Sequence, residues 1–165
     1  RWYPGWGWRI IPEYSGKGQL TDTGSHFLAL IFFLTSLTPE KVFSFIDFKD
    51  LKVDVNTSFN VKFKEGAIGS FLILGEDPLW RMSMRIWGEN GVIEMDENAE
   101  LREGYVQFKG REGKEKIEYK NCQVNNPAED LIECIRKGKQ PETSFEVIEK
   151  TAYLSDEIYK NCLRV

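Results

Sequence analysis

Between residues 53 and 63 apolar and polar side chains alternate without a break, and this run constrains the fold more than any other stretch. Val53, Val55, Thr57, Phe59, Val61 and Phe63 share one side, whereas Asp54, Asn56, Ser58, Asn60 and Lys62 share the other. A period of two belongs to a β-strand with one buried face, because successive side chains leave a strand on opposite sides. Turn signals then recur at close spacing. Lys64-Glu65-Gly66 leads into a strand over 67–74, and a loop over 75–79 precedes another over 82–87. Glu89-Asn90-Gly91 carries an Asn-Gly pair and predicts a tight hairpin into 92–95. Strands over 105–109 and 116–119 form a further hairpin about Gly110 and Gly113, and a β-rich run at 41–48 precedes them all. Parallel strands need crossovers of about a dozen residues or more, so these short joints predict a mainly antiparallel sheet.

Helices bracket the strands. The run 24–35 reads as a buried helix stopped by Thr38-Pro39. Asn126-Pro127 supplies an N-cap and a first-turn proline, with Glu129 completing a capping box. Ala128, Leu131, Ile132 and Ile135 then follow at helical spacing as far as Gly138, and Thr143 with Glu146 opens a last helix to about Asn161. One helix, many strands and two helices predict the α+β class: a large, mainly antiparallel open-faced sheet with helices packed on one face. Residues 1–165 are expected to form a single domain. If helices cover the Val53/Val55/Phe59 side, the Asp54/Asn56/Asn60 side meets either water or a second subunit. The pattern leaves both open.

Composition removes several function classes. The formal charge is −4, which argues against nucleic acid or an anionic membrane as the main partner. The longest apolar run, 27–34, is eight residues against the roughly 20 that span a bilayer, and without a basic n-region or a cleavage site it does not read as a signal peptide. Three scattered cysteines without a CxxC pair, and one histidine in the chain, argue against a zinc site and for a cytoplasmic protein. The sequence begins at Arg1, so a preceding segment is an open expectation.

Asp22 and His26 stand four residues apart where the first helix opens and are the leading candidates for chemistry. Imidazole titrates near neutrality and suits proton transfer at a hydroxyl or carbonyl; a neighbouring carboxylate would orient it. The competing reading makes Asp22 a helix cap and His26 a packed residue. Gly16-Lys17-Gly18 imitates the start of a dinucleotide fingerprint, but Thr21 stands at the third glycine position and no strand precedes it. Trp2, Tyr3, Trp6 and Trp8 offer either a platform for a sugar face or loop packing, and Arg9 either an anion clamp or a surface charge. Basic residues over 109–120 are interrupted by glutamates and read as a solvated hairpin.

The stretch 8–26, WRIIPEYSGKGQLTDTGSH, resembles the opening of the C-terminal domain of the Gfo/Idh/MocA oxidoreductases. The likeness continues through 53–71, through IWGENGVIEMD at 86–96, and through the closing helix pair at 126–161. The resemblance implies half of an enzyme: an N-terminal Rossmann domain, absent from this chain, holds NAD or NADP, and this domain supplies substrate contacts and the homo-oligomer interface. The substrate class implied is a sugar, inositol or sugar derivative. On the family's motif His26 would donate or accept the proton, Asp22 would assist it, and a lysine of the other domain would join them. Trp8, Arg9, Lys17 and Gly18 would border the substrate. No cofactor, activity or metal is expected of the isolated chain. Two positions depart from the pattern: Lys17 replaces a middle glycine, and Ala29 stands where many members have aspartate. A non-catalytic scaffold, or an NAD-dependent glycosidase of the same fold, are the alternative readings.

Overall fold

The alternating run is realised as an antiparallel ladder in which side chains at Thr57, Phe59, Val61 and Phe63 are buried. The structure, a computed structural model, describes residues 7–122, 126–141 and 144–165. The sequence readings at Trp2, Tyr3, Trp6 and Thr143 lie outside them. Eight strands are present among the described residues: β1 (Pro39–Asp47), β2 (Asn56–Phe63), β3 (Ile68–Leu74), β4 (Arg81–Gly88), β5 (Gly91–Asn98), β6 (Glu103–Gly110), β7 (Gly113–Lys120) and β8 (Cys162–Arg164). Four helices accompany them: α1 (Pro12–Ser15), α2 (Gly24–Thr35), α3 (Pro127–Lys137) and α4 (Phe145–Lys160). The class is α+β, and every strand pair is antiparallel except β1 with β8.

The strands distribute over two four-stranded sheets, ordered β3-β2-β1-β8 and β4-β5-β6-β7, a division that turn spacing does not reveal. At the end of β3 the Gly75 N–H turns back to the Val55 carbonyl and the Asn56 side chain, and Pro78 then has no N–H to offer a ladder. Two compact units result: residues up to Glu76 together with those from Asp130 onward, and residues 77–129.

In the first unit α2 and α4 lie on one face of the sheet. Leu28 and Phe32 of α2 and Leu154 and Ile158 of α4 join Ile46, Phe59, Val61, Phe63 and Ile73 in one buried cluster. Phe59 stacks on Phe71 with ring centroids 4.8 Å apart. The Ser44 hydroxyl donates to the Ile158 carbonyl at 2.6 Å, satisfying a polar group that would otherwise be stranded between β1 and α4. On the opposite face Phe43, Phe45 and Leu72 are exposed, with Ser58, Asn60 and Ser70 among them. No helix among the described residues is long and apolar enough to cross a membrane.

The second unit is a meander. Met84, Met95, Val106 and Ile117 align across one face, while the other carries cross-strand ion pairs such as Arg85 with Glu94 (2.9 Å) and Arg81 with Asp96 (3.0 Å). The expected hairpin at residues 89–91 forms, with Gly88 paired to Gly91, so that the connecting residues are Glu89 and Asn90. Gly91 belongs to the strand: its φ is +153°, and a Cβ there would meet the Lys109 carbonyl at 2.3 Å.

Two sequence expectations are corrected. The strand expected over 53–63 begins only at Asn56. Residues 51–55 form an irregular bend in which alternation no longer encodes sidedness, so Asp54, expected on the wet face, is completely buried. Where the helix ends, a short strand, β8, follows and extends the first sheet alongside β1.

Candidate functional site

The segment expected to carry chemistry folds as a series of tight turns. A 3₁₀ turn, Gly7–Ile10, runs into α1, which has Pro12 at its start, where the missing N–H costs nothing. Gly16 closes α1 at φ +74°, its N–H donating to the Pro12 carbonyl at 2.7 Å. Residues 18–23 then turn into α2, whose first residue is Gly24.

His26 lies in the first turn of α2 and is exposed; its backbone N–H donates to the Thr23 carbonyl at 3.2 Å. Among the described residues no hydrogen bond engages its imidazole. Asp22 precedes the helix instead of sitting on its face, and Thr23 is the cap residue. The Asp22 carboxylate accepts from Arg9 Nε at 2.6 Å. The Arg9 guanidinium in turn lies 4.6 Å over the ring of Trp8, which is half exposed. Trp8, Arg9 and Asp22 are thereby brought together across 13 residues of sequence.

Lys17 points elsewhere. Its ammonium pairs with Asp156 of α4 at 2.7 Å and sits 4.2 Å from the ring centre of Tyr159. That ammonium holds the Asp156 carboxyl below its ordinary range. Gly18 is buried against the 51–55 bend: a Cβ there would stand 2.1 Å from the Asp54 carbonyl oxygen and 2.6 Å from its amide nitrogen. Close approach of two backbones therefore accounts for glycine at this position.

The residues that sequence reasoning missed are Asp54 and Tyr159. Asp54 accepts the Gly18 N–H and the Leu20 N–H, each at 2.7 Å, and also the Tyr159 hydroxyl. The signal was present in Val53-Asp54-Val55, a carboxylate flanked by two residues that proved to be core. Burial, then the adjacent Asp54 charge, push the Tyr159 hydroxyl far above its ordinary value near 10. The unfolded chain releases that proton near pH 10 while the folded chain retains it, so the associated stability is complete below pH 10 and lost as pH rises above it. Thermal melting followed from pH 9 to 11 should show this fall, and Tyr159→Phe should make it shallower. Equal slopes in the two proteins would refute the assignment.

A shallow depression of about 410 Å³ along β6 and β7 is lined by Glu103, Gly104, Tyr105, Glu118, Tyr119 and Lys120, and neither Asp22 nor His26 borders it. Burial, with Glu97 accepting its hydroxyl, raises Tyr119 to about 12.

Nor does the turn at 16–18 fit a dinucleotide. Gly16-Lys17-Gly18 follows a helix, not a strand, and its Gly18 N–H is already taken by Asp54, so no amide cradle for phosphate exists there.

Solved structures share the fold. An aldose-aldose oxidoreductase from Caulobacter crescentus, complexed with glycerol, superimposes with a TM-score of 0.77 at 21% identity over 93% of this chain and 48% of its own. Levoglucosan dehydrogenase in complex with NADH gives 0.73 at 17% identity, covering 94% and 51%. An oxidoreductase domain protein from Kribbella flavida gives 0.74 at 17%, covering 94% and 52%. The chain thus spans about half the length of the structures it matches. No curated protein sequence matches it. The family model described as the GFO/IDH/MocA C-terminal domain matches residues 1–94, more than half of the chain, and the chain belongs to that family.

Proposed function

We propose that this chain is the substrate-binding and oligomerisation domain of an NAD(P)-dependent oxidoreductase acting on a hydroxyl or carbonyl of a sugar, inositol or sugar derivative. The observation that carries the reading is the exposed His26, the only imidazole of the chain, at the start of α2 beside the turn that holds the Trp8–Arg9–Asp22 group. Structures of the same fold include proteins named for sugar-type substrates, one of them bound to NADH.

In this reading His26 moves the proton at the reacting oxygen, and Asp22, fixed by Arg9, supplies the negative charge that orients substrate and imidazole. Trp8 offers a ring face to the apolar side of a sugar. Lys17 and Gly18 border the substrate site from behind: Lys17 is held against Asp156, and the buried Gly18 shapes the turn that carries Asp22. The dinucleotide is held by a separate Rossmann domain of the same polypeptide, a reading supported by the turn at 16–18, which follows a helix and has its Gly18 N–H bonded to Asp54. Copies associate through the face bearing Phe43, Phe45 and Leu72, where exposed aromatic and aliphatic groups gain by burial. Three free thiols, at Cys122, Cys134 and Cys162, suit a cytoplasmic setting.

The test is a panel of aldoses, anhydrosugars and inositols offered to the full-length protein with NAD or NADP, read by nicotinamide absorbance. Absorbance change with at least one member is expected, and the isolated chain should bind neither nucleotide in calorimetry. Full-length protein that binds no nicotinamide would overturn the proposal in favour of a scaffold. Glycosidic cleavage without net absorbance change would replace it with the glycosidase reading.

A further inference from the structure

We propose that Asp54 is the positioning residue of this site: its buried carboxylate clamps the 18–20 backbone and thereby sets where Asp22 and the start of α2 stand. The inference rests on the reading of His26 and Asp22 given above.

Asp54 is 0% exposed. One carboxylate oxygen takes the Gly18 N–H at 2.7 Å together with the Tyr159 hydroxyl, and the other takes the Leu20 N–H at 2.7 Å. Its backbone carbonyl takes the Gln19 N–H at 3.0 Å. Three consecutive residues are thus bonded to a single residue 34 or more positions away. Their carbonyls pass the constraint onward. Gly18 O receives the Asp22 N–H and the Thr21 hydroxyl, both at 3.1 Å, and Gln19 O receives the Gly24 N–H at 2.9 Å. Asp22 and the first residue of α2 therefore each stand one hydrogen bond beyond the clamp.

A buried carboxylate is a poor way to stabilise a fold, because desolvation offsets much of what its partners return. Satisfied by three donors, it is an effective way to fix geometry, since any displaced donor leaves charge unpaired in a dry interior. Lys17 braces the clamp from outside, with its ammonium over the Tyr159 ring and against Asp156. The arrangement joins the turn that carries Asp22 to α4, some 140 residues further along the chain.

The experiment compares Asp54→Asn, Tyr159→Phe and His26→Ala in the full-length protein. Asparagine keeps the shape but turns one acceptor into a donor facing a donor. It is expected to lower kcat about 10- to 100-fold, as misplacement of reacting groups does. KM for the nicotinamide cofactor should stay within about twofold. Amide exchange at Gly18 and Leu20 should accelerate while that at Phe59 does not, and the imidazole resonance of His26, assigned by its disappearance in His26→Ala, should shift. Tyr159→Phe, which keeps the carboxylate and both amide bonds, should lower kcat in the same direction by less. Unchanged kcat in Asp54→Asn, with Gly18 and Leu20 exchanging faster, would overturn the proposal. If Asp54→Asn does not fold, Tyr159→Phe decides: reduced kcat supports the clamp and unchanged kcat overturns it. Loss of turnover in His26→Ala without loss in the other two sinks the clamp alone, whereas full turnover in His26→Ala sinks the site reading.

Discussion

Replacing His26 with alanine in the full-length protein is expected to lower kcat by about two to four orders of magnitude, the usual share of a positioned acid or base. The size of the effect follows from the role: within residues 1–165 no second imidazole stands ready to move the proton. The fold should survive, because the side chain is exposed in the first turn of α2 and contributes nothing to the buried cluster. Circular dichroism and melting temperature should therefore match the parent while turnover falls. Parental turnover in the alanine variant would remove His26 from the mechanism.

Phe59→Ala is expected to cost about 3–5 kcal/mol of stability, measured by denaturant unfolding of the parent and variant. The ring is 1% exposed, stacks on Phe71, and lies in the cluster where α2 and α4 meet the sheet, so its loss opens a cavity that no flexible neighbour can fill. Ser58→Ala, one position along on the uncovered face, should cost less than about 0.5 kcal/mol. A similar cost for both would mean that the phase of β2 has been misassigned.

That phase was legible because a half-buried strand writes its sidedness into every second residue, and β2 does so from Thr57 to Phe63. The bounds of α2 were legible for a related reason: an apolar run ended by Thr38-Pro39 leaves few alternatives. Asp54 was not legible. Alternation encodes a face only while the backbone is a strand, and the chain at 51–55 is an irregular bend that turns the carboxylate inward. Nor could spacing reveal that Arg9 reaches Asp22, because the turn between them is set by Gly16 at positive φ and by bonds to the remote Asp54. The separation into two sheets was hidden too, since every hairpin signal specifies a neighbour in sequence and none specifies where pairing stops. What the residues around His26 specified unaided was a choice between chemistry and packing; the family resemblance tipped that choice, and among the described residues the imidazole is exposed.

The way α4 closes the first unit also orders events in time. The meander of residues 77–129 pairs each strand with its neighbour in sequence and needs only short loops to close. The first unit must bring Ser44 to Ile158 and Asp54 to Tyr159, contacts separated by 114 and 105 residues. On a ribosome the hairpins can therefore form while the turn bearing Asp22 still lacks the tyrosine that completes its anchor. Chains interrupted before α4 should display the meander's protection against proteases yet leave residues 16–22 open to cleavage, so that competence of the site waits on the synthesis of α4.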